Sequence, residues 1–192
     1  MTSFVLIPGA GGVAWYWHRV VPLLEAAGHE AIAVDLPGDD EHAGLSTYAD
    51  RVVQAIGGRR PILVAQSLGG FTAPLVCERV PVEQLVFVNA MIPVPGETAG
   101  AWWENTGATQ ARLESARRAG YTEELDIPTY FLHDVPAEVL KGGEAHQRPE
   151  AVSSSVSLVA FRAGLMFRFG SSPDGTTDSF RLSFSGGWRG NG

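Results

Sequence analysis

Short apolar runs alternate with helical patterns along the first 90 residues of the chain. Each run is four residues long and is followed by a turn signal or a polar residue, which suits strands buried on both faces of a sheet. The runs are residues 4–7, 31–34, 62–65 and 85–88. Strands that alternate with helices form right-handed βαβ units. The pattern therefore predicts an α/β fold with a mostly parallel sheet flanked by helices.

Three segments between these runs carry helical signals. Residues 15–27 place apolar side chains at helical spacing, and Gly28 follows as a stop signal. Ser46 is predicted as the N-cap of a second helix, which ends at Gly57. Residues 68–79 predict a third helix directly after the third strand. Each helix thus occupies a crossover of the predicted sheet.

The strand signal disappears after the fourth run. Between about residues 93 and 148, aromatic side chains are spread among helical and loop patterns. We interpret this segment as a helical lid inserted over one edge of the sheet. The predicted division is a core with its lid over residues 1–150 and an atypical tail over residues 151–192, in which the final strands of the sheet are incomplete.

Composition narrows the possible partners. The chain has 192 residues, 45% of them hydrophobic, which is enough for one domain with a buried core. Its net charge of −7, without a basic cluster, argues against nucleic acid or anionic membrane as a partner. Cys77 is the single cysteine, so neither an intrachain disulfide nor a cysteine-rich zinc site is expected. No signal peptide or membrane span is apparent, which favours the cytoplasm.

One serine has the sequence context of a catalytic nucleophile. Ser67 lies between the third strand and its helix, where a tight turn would expose the hydroxyl at the helix N-terminus. Such a turn requires small residues two positions before and after, and Ala65 and Gly69 meet this need. Ala65 stands where glycine is usual. The amide of Leu68 is then expected to donate one hydrogen bond to an oxyanion.

A second donor is expected from the loop after the first strand. Residues 8–12 are proline followed by small residues, so backbone amides can approach a substrate oxygen closely. Ala10 is the predicted donor in this loop. Gly9, Gly11 and Gln66 are predicted to line the substrate pocket. Two separate segments thus supply parts of one mechanism.

These motifs resemble the α/β-hydrolases that are related to plant methylesterases and hydroxynitrile lyases. The resemblance covers the chain from residue 4 to about residue 150, and the residues that carry it are 6–10, 14–17, 21–29, 34–38 and the elbow at Ser67. It implies Ser-His-acid chemistry on small carboxylic esters or related carbonyl compounds, with no cofactor and no metal. The chain departs from that family at Pro8, where a histidine usually precedes the glycine.

The partners of the serine are not apparent in this sequence. In this fold the acid and then the histidine follow the nucleophile along the chain, beyond the lid. All five histidines precede residue 151, and each is expected to be an ordinary surface residue: His18, His29, His42, His133 and His146. His133 and His146 lie in the lid region, where a catalytic role is open but would be out of the usual order. The sequence therefore predicts a serine esterase site that is inactive or weakly active in the 192-residue chain.

The composition of the tail suggests why the acid and the histidine are missing. Residues 151–192 are rich in serine, glycine, arginine and phenylalanine and show no final strand–helix pattern. Codons permitted for residues 165–181, read one nucleotide earlier, can encode a valine-rich strand followed by Asp-Asp-Arg-Phe-Phe-Pro, which is similar to the acid-bearing loop of the family. We hypothesise a frameshift near residue 150. The tail would then be poorly ordered, and Asp174 and Asp178 would not be catalytic acids.

Two other function classes fit parts of the sequence. The spacing Gly9-x-Gly11-x-x-Ala14, with Asp35 at the end of the second strand, also matches a dinucleotide-binding fingerprint, which would make the protein an NAD-dependent oxidoreductase. That reading leaves the serine elbow unexplained. A non-catalytic binding protein derived from the hydrolase fold is the third possibility, and it predicts ligand binding without covalent modification of Ser67.

Overall fold

A computed structural model describes residues 1–151 and the short strand at residues 181–182. Their strands form one sheet in the order β2-β1-β3-β4-β5. The strands are β1 Ser3–Ile7, β2 Glu30–Ala33, β3 Ile62–Gln66, β4 Gln84–Val88 and β5 Arg181–Leu182. The first four strands are parallel, and β5 pairs with β4 in the antiparallel direction. The predicted α/β fold with a mostly parallel sheet is confirmed.

Helices occupy the connections between the parallel strands and much of residues 99–146. The α-helices are α1 Val21–Ala26, α2 Leu45–Ile56, α3 Gly69–Cys77, α4 Ala99–Asn105, α5 Ala108–Ala119, α6 Ile127–Phe131 and α7 Ala137–Gly143. Two short 3₁₀ helices lie at Ala14–Trp17 and Glu144–His146. None of the helices in residues 1–151 is both long enough and apolar enough to cross a membrane.

Two predicted helix starts are wrong. The helix expected over residues 15–27 is divided into a 3₁₀ helix and α1, and Pro22 in the first turn of α1 explains the new start, because proline suits the first positions of a helix. Helix α2 begins at Leu45, and its N-cap is Gly44 rather than Ser46. The Ser46 hydroxyl instead accepts a hydrogen bond from Arg79 Nη2 at 3.0 Å.

The core lies between the sheet and helices α2 and α3, which pack against each other. Helix α2 is amphipathic, with buried residues at the helical spacing: Leu45, Tyr48, Ala49, Val52 and Ile56. Helix α3 is buried over its first eight residues, as expected of a helix that is apolar all round. This burial fixes the direction of α3 and therefore the place of the turn that precedes it.

The segment from residue 93 to 148 is helical, as predicted, and much of its apolar surface is exposed. Helix α4 is attached to the core through buried Ala99 and through Trp102, whose Nε1 donates to the carbonyl oxygen of Ile92 at 3.2 Å. Large apolar side chains of the other lid residues face solvent: Trp103, Tyr121, Leu125, Ile127 and Phe131. The boundary at residue 150 stays a prediction, and the proposed tail lies almost wholly outside the described residues.

Candidate active site

The turn between β3 and α3 holds Ser67 in a strained conformation. Its φ is +49°, in the left-handed region that a non-glycine residue rarely adopts and that costs about 1–3 kcal/mol. The carbonyl oxygen of Ser67 accepts hydrogen bonds from the amides of Gly70 and Met91, both at 3.0 Å. The backbone of this residue is thus fixed from α3 and from the loop after β4, and its side chain is half-buried.

Glycines after the serine allow three loops to meet at this turn. A Cβ on Gly69 would lie 2.7 Å from the carbonyl oxygen of Pro8, closer than real Cβ contacts come. A Cβ on Gly70 would overlap the carbonyl oxygen of Met91. These neighbours follow β1 and β4, because the carboxyl ends of parallel strands meet at one edge of the sheet. The sequence Gly-Gly after Leu68 is therefore a packing requirement.

The loop after β1 lies directly against the serine turn. A Cβ on Gly9 would lie 2.8 Å from the Cβ of Ser67 and 2.5 Å from Oε1 of Gln66. The two motifs that the sequence singled out are therefore in contact. Gly9 and Gln66 border the serine, as residues of a substrate pocket must. Their role in binding substrate stays a prediction.

A tight turn shapes this loop. The amide of Gly12 donates to the carbonyl oxygen of Gly9 at 3.1 Å, and Gly11 has φ of +81°, the value of the third residue in a type II turn. Ala10 is exposed. Within the part of the chain that the structure describes, the amides of Ala10 and Leu68 make no hydrogen bond. Both therefore remain free to donate to a ligand.

Gly11 differs from Ala10, because both of its backbone polar groups are occupied. Its amide donates to Glu150 Oε2 at 2.5 Å, and its carbonyl oxygen accepts from Arg148 Nε at 2.7 Å. Its backbone amide and carbonyl oxygen are thus engaged by these two side chains, and the place of Gly11 in a substrate pocket stays a prediction. Sequence reasoning did not identify Arg148 or Glu150, since they lie after the lid in a segment without a recognisable motif.

The histidines of the described region do not complete a triad. Among residues 1–151, no histidine is hydrogen-bonded to Ser67. His18 and His146 instead both stack on Trp15, with their ring centroids 4.0 and 4.9 Å from that of the indole. Four of the five histidines are exposed and His29 is half-buried. A general base for Ser67 is not among the contacts of this part of the chain.

Cys77, at the end of α3, is a second potential nucleophile. The residue is half-buried, and burial raises the pKa of its thiol to about 12. Because the thiolate is the reactive form, the thiol is inert at neutral pH. Ser67 is therefore the better candidate for covalent chemistry in this region.

Asp35 is engaged by the protein itself. Its Oδ1 accepts from the amide of Ala14 at 3.0 Å, and its Oδ2 contacts Arg148 at 3.2 Å. The helix after the glycine loop is a 3₁₀ helix of four residues, Ala14–Trp17, which offers little helix dipole to a pyrophosphate. The geometry thus favours the serine site over the dinucleotide fingerprint.

Several curated relatives of this chain are named as plant esterases. The probable esterase PIR7A of Oryza sativa subsp. indica is 40% identical over 110 residues, which cover 50% of this chain and 42% of that protein. Methyl jasmonate esterase 1 of Vitis vinifera is 36% identical over 48% of this chain and 40% of its own length. Methylesterase 3 of Arabidopsis thaliana is 30% identical over 66% and 54%. The chain thus spans about half the length of these relatives.

Solved structures have the same fold. Polyneuridine aldehyde esterase superposes with a TM-score of 0.65 and 20% identity, covering 83% of this chain and 74% of that one. The methylesterase MES16 from Arabidopsis gives 0.62 and 20%, covering 85% and 72%. At this identity the likeness concerns the fold alone. The sequence pattern of the Alpha/beta hydrolase family matches residues 4–180. This chain belongs to the α/β-hydrolase family.

Proposed function

We propose that the chain carries the site of a carboxylic ester hydrolase in which Ser67 is the nucleophile. The observation that carries the proposal is the strained φ of +49° at Ser67, in a turn that touches the glycine loop after β1. Strain of this kind persists only where the surrounding structure enforces it, and it is concentrated at functional sites. We therefore propose the turn around Ser67 as the functional site.

The free amides supply the second part of the mechanism. Attack of Ser67 Oγ on an ester carbonyl would place negative charge on the carbonyl oxygen. The amides of Ala10 and Leu68 are the donors proposed to stabilise it, since neither is used elsewhere in residues 1–151. The alcohol then leaves, and water releases the acid from the acyl-serine. No cofactor or metal takes part in these steps.

The proposed substrates are small-molecule carboxylic esters. Three relatives are named as esterases or methylesterases, and one of them as a methyl jasmonate esterase. The substrate class is carried over from these names, and the individual ester is not. Hydrolysis is proposed in preference to lyase chemistry because these names are those of ester hydrolases.

Turnover by the 192-residue chain is proposed to be weak. A serine hydroxyl needs a base to remove its proton and an acid to hold that base, and neither contacts Ser67 in residues 1–151. Loss of triad members costs several orders of magnitude in rate, while oxyanion stabilisation and binding leave about 10³- to 10⁴-fold acceleration over water. The chain should therefore react slowly and selectively.

A fluorophosphonate probe tests the proposal, because it labels activated serines. We expect slow labelling confined to Ser67, which Ser67→Ala abolishes. Ser115→Ala is the matched control, since Ser115 is an exposed serine on α5 and its removal should change nothing. The same labelling in Ser67→Ala would contradict the proposal. An unlabelled chain that binds esters would indicate a binding protein, and tight NAD binding in a titration would indicate the dinucleotide reading.

A further inference from the structure

Residues 148–150, at the end of the lid segment, are hydrogen-bonded to the loop after β1. The Nε of Arg148 donates to the carbonyl oxygen of Gly11 at 2.7 Å, and its Nη2 donates to that of Gly12 at 3.0 Å. The guanidinium also contacts Asp35 Oδ2 at 3.2 Å, and its side chain is only 23% exposed. One planar group thus fixes two consecutive peptides of the loop while its charge is balanced by a carboxylate.

Glu150 holds the same loop from its amide side. Its Oε2 accepts from the amide of Gly11 at 2.5 Å, and its Oε1 accepts from the Tyr48 hydroxyl at 2.7 Å. Tyr48 is buried on α2, so the carboxylate is anchored to the core of the domain. We call Arg148 and Glu150 together the clamp. Proline stands between them and restricts the backbone of the segment.

The clamp determines which of two turn types the loop adopts. Type I and type II turns differ by a flip of their central peptide, which here joins Ala10 to Gly11. The hydrogen bond from the Gly11 amide to Glu150 fixes the side to which this peptide points. The preceding peptide carries the Ala10 amide, and its carbonyl oxygen, that of Gly9, accepts from Gly12. The Ala10 amide must therefore point away from the turn, and it does so in both turn types, because both keep the bond from Gly12 to Gly9.

Without these contacts the loop would be poorly fixed. Three of the four residues in the turn are glycines, which lose the most conformational freedom when they are ordered. An oxyanion donor is effective only if it is in place before charge develops. The hydrogen bonds of the clamp supply the order that the glycine sequence lacks.

We propose that Arg148 and Glu150 are positioning residues that hold the turn at residues 9–12 in one ordered conformation, so that the Ala10 amide is in place before an oxyanion forms. This rests on the proposed function, in which Ala10 is an oxyanion donor. Within residues 1–151 neither side chain is hydrogen-bonded to Ser67, so both act through the loop, on the rate of attack by Ser67 rather than on its chemistry. Through the clamp, the segment in which the chain leaves the lid also becomes part of the site.

The labelling rate of Ser67 measures this effect. In the full chain, Glu150→Ala should slow fluorophosphonate labelling by about 10-fold or more, against about 10²- to 10³-fold for complete loss of an oxyanion donor. Glu150→Gln should restore most of the rate, because its amide oxygen can accept from Gly11 and its NH₂ can face Tyr48. Arg148→Met should resemble Glu150→Ala. Glu138→Ala, an exposed glutamate on α7, is the matched control and should label normally.

The amide resonance of Gly11 gives a readout that does not depend on reactivity. An amide bonded to a carboxylate should resonate at low field, and it should move upfield and exchange faster in Glu150→Ala even if that variant melts like the wild type. Wild-type labelling that is lost in Ser67→Ala but unchanged in Glu150→Ala would overturn the positioning role alone. A wild-type chain unlabelled at Ser67 would overturn the proposed function, and the role of the clamp with it.

Discussion

The serine turn and the lid are built in opposite ways. At the turn, backbone packs directly on backbone: Gly9 and Gly69 leave no room for a Cβ, and the backbone of Ser67 is hydrogen-bonded from α3 and from the loop after β4. In the lid, short helices expose several large apolar side chains and are joined by surface ion pairs such as Arg117–Glu123, in which both side chains are more than half exposed. The serine turn therefore admits a single arrangement of its backbone, whereas the lid does not depend on close packing.

Under the proposed function, this difference would separate chemistry at the turn from substrate recognition by the lid. A nucleophile and its oxyanion donors must be held within a fraction of an ångström, which rigid strands and glycine contacts achieve. A cover that meets varied ester groups needs apolar surface more than it needs precision. Substitutions at the turn should therefore change stability and reactivity strongly, whereas substitutions in the lid should change them little.

The largest effect is expected from Gly70→Ala. Its new Cβ would overlap the backbone carbonyl oxygen of Met91, which cannot swing away as a side chain can. We expect a loss of about 3 kcal/mol in the free energy of unfolding, measured by urea denaturation. Gly100→Ala in α4 is the control, because its Cβ would come no closer than 3.9 Å to Thr98 Oγ1. Equal stability of the two variants would contradict the tight packing of the turn.

A second prediction concerns the strain at Ser67. Ser67→Gly should be more stable than Ser67→Ala by about 1 kcal/mol, because glycine adopts the left-handed φ without the steric cost that alanine retains. Both variants lack the hydroxyl, so neither should be labelled. Thermal unfolding of the pair measures the strain separately from the chemistry. An alanine variant as stable as the glycine variant would mean that the turn stores no strain.

A third prediction concerns the reactivity of Cys77, at the end of α3. With a thiol pKa of about 12 in the folded chain, the thiolate fraction falls tenfold for each unit above the ordinary value. Alkylation by iodoacetamide at pH 9 should be slower by about 10² or more in the native chain than in urea. Because the folded pKa is raised, stability should fall as the pH rises from the ordinary thiol pKa toward 12. Rapid alkylation of the native chain would show that α3 is not packed as described.

The smallest effect is expected in the lid. Arg117 holds the pKa of Glu123 below its usual range, so the pair contributes stability above the ordinary glutamate pKa and loses it as the pH falls through the lowered value. Glu123→Gln should therefore lower the melting temperature slightly at neutral pH and not at all in acid. Glu124→Gln, at the neighbouring exposed residue, is the control. A loss of stability as large as that of Gly70→Ala would show that the lid depends on its contacts as strongly as the turn does.

Local patterns predicted the parts of the fold that depend on neighbours in sequence. Periodicity located the four parallel strands, and the residues beside Ser67 indicated a tight turn. The clamp could not be predicted in this way, because Gly11 and Glu150 are 139 positions apart and no motif connects them. Ser46 shows the same limit, since its bond to Arg79, across 33 positions, removes it from the cap position that its local sequence favours.

The most direct test of the serine site is a crystal structure of the chain after reaction with a fluorophosphonate. We expect phosphorus bonded to Ser67 Oγ, with one phosphoryl oxygen about 2.7–3.2 Å from the amide nitrogens of both Ala10 and Leu68. We also expect that the Gly11 amide remains bonded to Glu150. An adduct at another residue, or a phosphoryl oxygen that meets neither amide, would contradict the assignment of this turn as an esterase site.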